Sequence, residues 1–224
     1  MESTMRHLMI ACLMLLGLAG GAFAQRVPAF AGEIAAFHEQ DRAHAPAQGA
    51  ILFIGSSSFR RWDNVGAAFP GVTIINRAFG GSTLLDQIAY FDDIVPPYHP
   101  RQVVVYCGEN DAVLPGVTGA EIARRFTTLF GMIRASLPQA QVSFVSIKAS
   151  PSRAQVLPVV VEANRLVRAF LAAQPNTSYI DIYPAMLDAA GQPQEALFVG
   201  DRLHMKPAGY VIWQRVIAPY LTKD

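Results

Sequence analysis

The chain has 224 residues, 52% of them hydrophobic and 16% charged, with a formal net charge of +1. This is a globular composition, long enough for a sizeable core, and it carries no basic run for nucleic acid and no acidic tail for a cationic partner. Only Cys107 lies beyond the N-terminal apolar stretch, which excludes an internal disulfide framework. His38, His44, His99 and His204 form no ligand-spaced cluster, so no metal or cofactor is expected.

Residues 1–24 begin weakly basic, run apolar through residues 8–18 and close on small residues ending at Ala24. This is the pattern of a secretory leader cleaved near Ala24, leaving one domain over residues 25–224, exported to the periplasm or beyond the cell. The apolar run is short and broken by glycine at its end, so no stable membrane span is expected after cleavage. Cys12 sits too early in it for lipoprotein-type cleavage.

A helical pattern follows over residues 32–42, with Ile34, Phe37 and His38 on one face. Residues 50–54 then form a short, continuous apolar run bounded by glycine, as expected of a strand buried on both faces. The pattern returns at residues 72–75, 102–106, 142–147 and 178–182. Periodic segments at 84–95, 118–136, 158–173 and 207–221 are long enough for helices, and the turns between are rich in Gly, Pro, Asn and Asp. Five apolar strands alternating with helices predict an α/β fold, a three-layer α/β/α sandwich around a five-stranded, mainly parallel sheet. Ligands in such folds bind at the carboxyl ends of the strands.

Four stretches fall at that edge. Gly55-Ser56-Ser57-Ser58 follows the first strand; a serine there is an ordinary N-cap, a phosphate cradle or a nucleophile with an oxyanion donor in its own N–H. Residues 76–83 follow the second strand, with Gly80 and Gly81 allowing close backbone approach and Ser82 or Thr83 placed to cap the next helix. Gly108-Glu109-Asn110-Asp111 follows the third: the Asn110 amide suits a developing oxyanion, Asp111 can brace the loop, and an Asx-turn is the plain alternative. Near the C-terminus, Asp201 and His204 are three residues apart, so that the carboxylate can hold Nδ1–H and leave Nε2 free as a base.

In this order the four stretches resemble the blocks of the SGNH (GDSL-type) hydrolase family, whose fold is flavodoxin-like. The resemblance implies a serine esterase with Ser57 as nucleophile, Asp201 and His204 completing a triad, and an oxyanion hole of Ser57, Gly81 and Asn110. It implies an ester substrate, with short acyl groups, including acetyl groups on carbohydrate, the expectation for so compact a chain. The family's common first block is Gly-Asp-Ser; here Ser56 stands in the Asp place, which leaves Ser56 and Ser58 as rival nucleophiles.

Lysophospholipase- or thioesterase-like acyl hydrolysis is the enzymatic alternative. A non-catalytic exported module binding anions or carbohydrate is the alternative from another class. Asp181, at the end of the fifth strand, competes with Asp201 for the acidic role. Lys148 to Arg153 reads as a charged exit loop at the pocket rim, Trp62 as packing beside partly solvated Arg60 and Arg61, and Asn164 and Arg165 as the polar face of a helix. Cys107 reads as a buried small hydrophobe at a strand end.

Overall fold

The sheet is built from apolar runs that have no hydrophilic face to show water. In the computed structural model, which describes residues 29–223, the strands are β1 (Ile51–Gly55), β2 (Ile74–Asn76), β3 (Gln102–Tyr106), β4 (Gln141–Val145) and β5 (Thr177–Ile180). They lie in the order β2-β1-β3-β4-β5 and every pairing is parallel. β1 and β3 are buried along their whole length, which is why neither alternates apolar with polar residues. The leader expected at residues 1–24 lies outside the described residues.

Helices α1 (Ala31–Ala43), α4 (Leu84–Ala89), α5 (Phe91–Ile94), α6 (Gly119–Ser136) and α7 (Leu157–Ala172) cover one face. Helices α2 (Ser57–Arg60), α3 (Val65–Ala68) and α8 (Pro207–Ile217) cover the other. The strand residues divide by the period of two. Leu52, Ile54, Val103 and Val105 enter the first core, and Ile51, Phe53, Val104 and Tyr106 the second. Each fully buried aliphatic or aromatic side chain of this kind contributes about 1.5–3 kcal/mol. The result is the α/β/α arrangement predicted, with a sheet that is wholly rather than mainly parallel.

Several boundaries differ from the predicted ones, for identifiable reasons. β4 stops at Val145 rather than continuing to residue 147, because the Asn164 side chain takes both backbone groups of Ile147 (2.8 Å from its N–H, 2.9 Å to its carbonyl). β5 stops at Ile180 because the N–H groups of Ile182 and Tyr183 both donate to Ser146 Oγ, each at 3.0 Å. The helix expected over 84–95 is two pieces meeting at Tyr90, whose ψ of 16° leaves the helical range. The last helix ends at Ile217, where Pro219 can supply no N–H and a 3₁₀ turn follows. Among the described residues no helix is long and apolar enough to cross a membrane.

Candidate active site

Gly55 is the turn on which the site is built. It has φ +133°, and a Cβ placed there would stand 1.9 Å from the Tyr106 carbonyl oxygen, so only glycine lets β1 pass β3 this closely. The chain then turns directly into α2, with Ser57 as its first residue. Ser57 Oγ lies 2.9 Å from His204 Nε2, and His204 Nδ1 lies 2.6 Å from Asp201 Oδ2. A carboxylate can only accept, so Nδ1 carries the proton and Nε2 offers its lone pair to the serine hydroxyl.

Asp201 and His204 sit at the head of a small closed loop. Phe198 and Met205 form an antiparallel bridge at its base, Val199 N–H donates to His204 O at 2.8 Å, and Arg202 takes the left-handed conformation with φ +58°. Asp201 Oδ1 also accepts the N–H groups of Leu203 and His204, each at 2.9 Å. Partial desolvation opposes ionisation, but the His204 imidazole and these N–H groups outweigh it and hold the Asp201 carboxyl well below the usual carboxylate range.

The rival residues are placed elsewhere. Ser56 is buried, and its Oγ accepts Asn110 Nδ2 at 2.8 Å. Ser58 is buried on the other side, its Oγ 3.2 Å from Lys148 Nζ. Of the three serines, Ser57 is the one that meets His204. Asp181 faces Arg168 at 3.7 Å rather than the imidazole.

Gly81 has φ +79° and is exposed. Neither its N–H nor that of Ser57 donates to a protein acceptor among the described residues. The Asn110 amide is held by two acceptors, Ser56 Oγ and the Ser82 carbonyl (3.0 Å). Asp111 braces this loop as its residue type suggested: fully buried, it accepts Leu84 N–H at 3.0 Å and Arg125 Nη1 at 2.7 Å. Cys107 is buried, and burial pushes its thiol up, away from reactive thiolate.

Two sequence readings are corrected. Lys148 is not part of a solvated exit loop: it is 1% exposed and forms a buried ion pair with Glu109. The apolar run of β4 leading straight into this lysine was the available signal, because a cation carried there by a buried strand must find a partner. Asn164 is likewise buried rather than on a polar helix face, tying α7 to the end of β4. Beyond Lys148, Ser152 Oγ and Arg153 Nε are buried without a protein partner, on a segment whose Ser152 N–H donates to Arg202 O at 3.0 Å. Trp62 packs as expected, against Phe59, Phe69, Tyr210 and Trp213.

A model of the GDSL-like lipase/acylhydrolase family matches residues 34–212. The chain belongs to that family. Solved structures resembling this GDSL-like chain include a protein from Streptococcus pneumonia, with TM-score 0.74 and 18% identity over 85% of this chain and 92% of the other. A GDSL-like lipase from Bacteroides thetaiotaomicron has TM-score 0.69 and 17% identity over 84% and 96%. A variant of an acetyl-xylooligosaccharide esterase from Geobacillus Stearmophilus has TM-score 0.61 and 18% identity over 77% and 94%. At these identities the likeness is one of fold. No curated protein matches the chain significantly.

Proposed function

We propose that this GDSL-like protein is an exported serine esterase that hydrolyses short acyl esters, acetyl esters on carbohydrate among them. The observation that carries the proposal is the continuous hydrogen-bonded run from Asp201 through His204 to Ser57, at 2.6 Å and 2.9 Å. In this reading Ser57 Oγ attacks the ester carbonyl as His204 Nε2 takes its proton, while Asp201 keeps the tautomer and stabilises the imidazolium. The N–H groups of Ser57 and Gly81 receive the tetrahedral oxyanion, with the Asn110 amide shared between it and its protein acceptors. The imidazolium returns the proton to the leaving alcohol, and water attacks the acyl-enzyme in the same way to release the acid and free Ser57.

The short-acyl preference rests on the compactness of the chain and on the open position of the pair, Asp201 side chain 43% exposed and His204 15%. The acetyl-xylooligosaccharide esterase among the structural neighbours is consistent with it. Export rests on the leader-like N-terminus.

The test is hydrolysis of p-nitrophenyl acetate, butyrate and octanoate by residues 25–224, with Ser57→Ala alongside. Acetate is expected to turn over fastest and Ser57→Ala to abolish turnover. Survival of activity in Ser57→Ala would remove the assigned nucleophile. Faster octanoate hydrolysis would replace the short-acyl reading with the lysophospholipase- or thioesterase-like one. No turnover of any ester, an acetylated xylooligosaccharide included, would favour a binding module.

A further inference from the structure

Directly behind the reacting groups lies a buried polar cluster that the triad and oxyanion donors do not use. Glu109 is 5% exposed, Lys148, Tyr106 and Ser58 are each 1% exposed, and Ser150 is fully buried. Lys148 Nζ pairs with Glu109 Oε2 and donates to Tyr106 Oη and Ser58 Oγ, each at 3.2 Å. Tyr106 Oη donates to Glu109 Oε2 at 3.0 Å, and Ser150 Oγ donates to Glu109 Oε1. An ammonium has three protons, and all three are placed. Its serine contact is Ser58 rather than Ser57, so Lys148 is not placed as the base.

The cluster's members are neighbours in sequence of the groups that would react. Ser58 follows the nucleophile Ser57, and Glu109 precedes Asn110. Ser150 opens the segment that is hydrogen-bonded through Ser152 to the loop carrying Asp201 and His204. Stability alone is a poor account of such a pair. Desolvating two charges is costly, and an apolar pair of similar volume is often as stable or more so. A fully satisfied buried network instead fixes the relative positions of the segments it joins.

We propose that Lys148 and Glu109 are positioning residues that lock the Ser57 helix and the Asn110 loop in register with each other. The proposal rests on the esterase reading of the site. A strand end, a helix start and two loops are joined through one ammonium and one carboxylate, so a displacement of either loop breaks charged hydrogen bonds in a dry setting. The outer side of α2 is held independently, by Tyr210 Oη on the Ser58 carbonyl at 2.9 Å and Asn76 Nδ2 on the Phe59 carbonyl at 2.8 Å. That support should keep α2 folded when the inner contact is removed.

The experiment compares the parent with Ser58→Ala and with the double variant Lys148→Met/Glu109→Gln, which removes both charges together. The measurements are kcat and KM on p-nitrophenyl acetate, the rate at which an alkyl fluorophosphonate labels Ser57, and the melting temperature. The double variant is expected to melt close to the parent and to keep KM within about twofold. Its kcat and labelling rate should both fall by about ten- to a hundredfold, the scale of a small misplacement of reacting groups. Ser58→Ala, which loses one hydrogen bond to the cluster, should lose about three- to tenfold in kcat.

A folded double variant with parental kcat and labelling rate would overturn the positioning role. If the double variant does not fold, a Ser58→Ala protein at full rate overturns it instead. A parent that neither turns over an ester nor is labelled at Ser57 sinks the esterase reading itself, and that outcome is separable because it is read on the parent alone.

Discussion

Ser56 is the residue whose role the sequence left most open, and its contacts give it one. Its Oγ and the Ser82 carbonyl together fix the Asn110 amide, so a neutral hydroxyl orients the proposed oxyanion donor at the place where the family's usual block has a carboxylate. Asn110→Ala is expected to stay folded and lose about a hundred- to a thousandfold in kcat. Ser56→Ala, which leaves the amide present but held at one point, should lose only about two- to tenfold. Equal losses in the two variants, measured on one ester, would remove the distinction between donor and orienter.

The Asp201 carboxyl supports a pH prediction. Its folded-state ionisation lies below its unfolded one, so its stabilising contribution is present above the ordinary carboxylate range, about pH 4, and is lost only as pH falls through the lower folded value. Between about pH 4 and neutrality Asp201 therefore stays charged and should add no slope of its own to the acid limb of the kcat/KM profile. A limb with slope two would mean that the carboxylate titrates in the same range.

At this scale the meeting of Ser57, His204 and Asp201 was legible because short motifs in a fixed order left few alternatives. The Lys148–Glu109 pair was not: the apolar run before Lys148 signals burial, but nothing local in the sequence marks the partner 39 residues away.

Among the elements, β1 and β3 were legible to within a residue because burial on both faces leaves uninterrupted apolar runs. The ends of β4 and β5 were not, because apolar residues continue past the point where side-chain groups take over the backbone. Ser146 and Asn164 do this, and neither announces it in sequence. The start of α4 was half legible. Thr83 is the cap, in a reciprocal box with Asp86, while Ser82 turns inward to the carbonyls of Phe79 and Gly55.

The Asn164 tie has a measurable weight. Asn164→Leu should keep the apolar contacts of α7 and strand the N–H and carbonyl of Ile147, at a cost of about 1–3 kcal/mol for each group left unsatisfied. Urea unfolding should therefore show a midpoint lowered by several kcal/mol in equivalent stability. A midpoint within about 0.5 kcal/mol of the parent would mean that the freed groups find other partners.

For the whole molecule, the parallel sheet decides where chemistry can be assembled. Every βα connection brings its loop to the same edge, so the stretches after β1, β2 and β3 converge with the long segment that joins β5 to α8. A cavity of about 570 Å³ lies elsewhere, lined by residues such as Phe69, Val72, Ala218 and Leu221 from the segments before β2 and after α8, and it includes none of the five proposed site residues. The layers, and the gathering of the four stretches at one edge, followed from strand–helix alternation. What did not follow is which buried polar groups would meet across the layers, since that depends on depth in the fold rather than on any local pattern.

The closed loop at residues 198–205 sets two kinds of contact side by side. The acid and base are three positions apart along the chain, whereas the base and the serine are 147 apart, and Lys148 reaches Ser58 across 90. The acid–base half of the site is thus local information, available to a short stretch of chain as soon as its turn closes. The nucleophile's half is long-range, and it exists only when the sheet is complete from β1 to β5. In the proposed mechanism the serine therefore needs a contact that spans most of the chain, whereas its acid and base need only one closed turn.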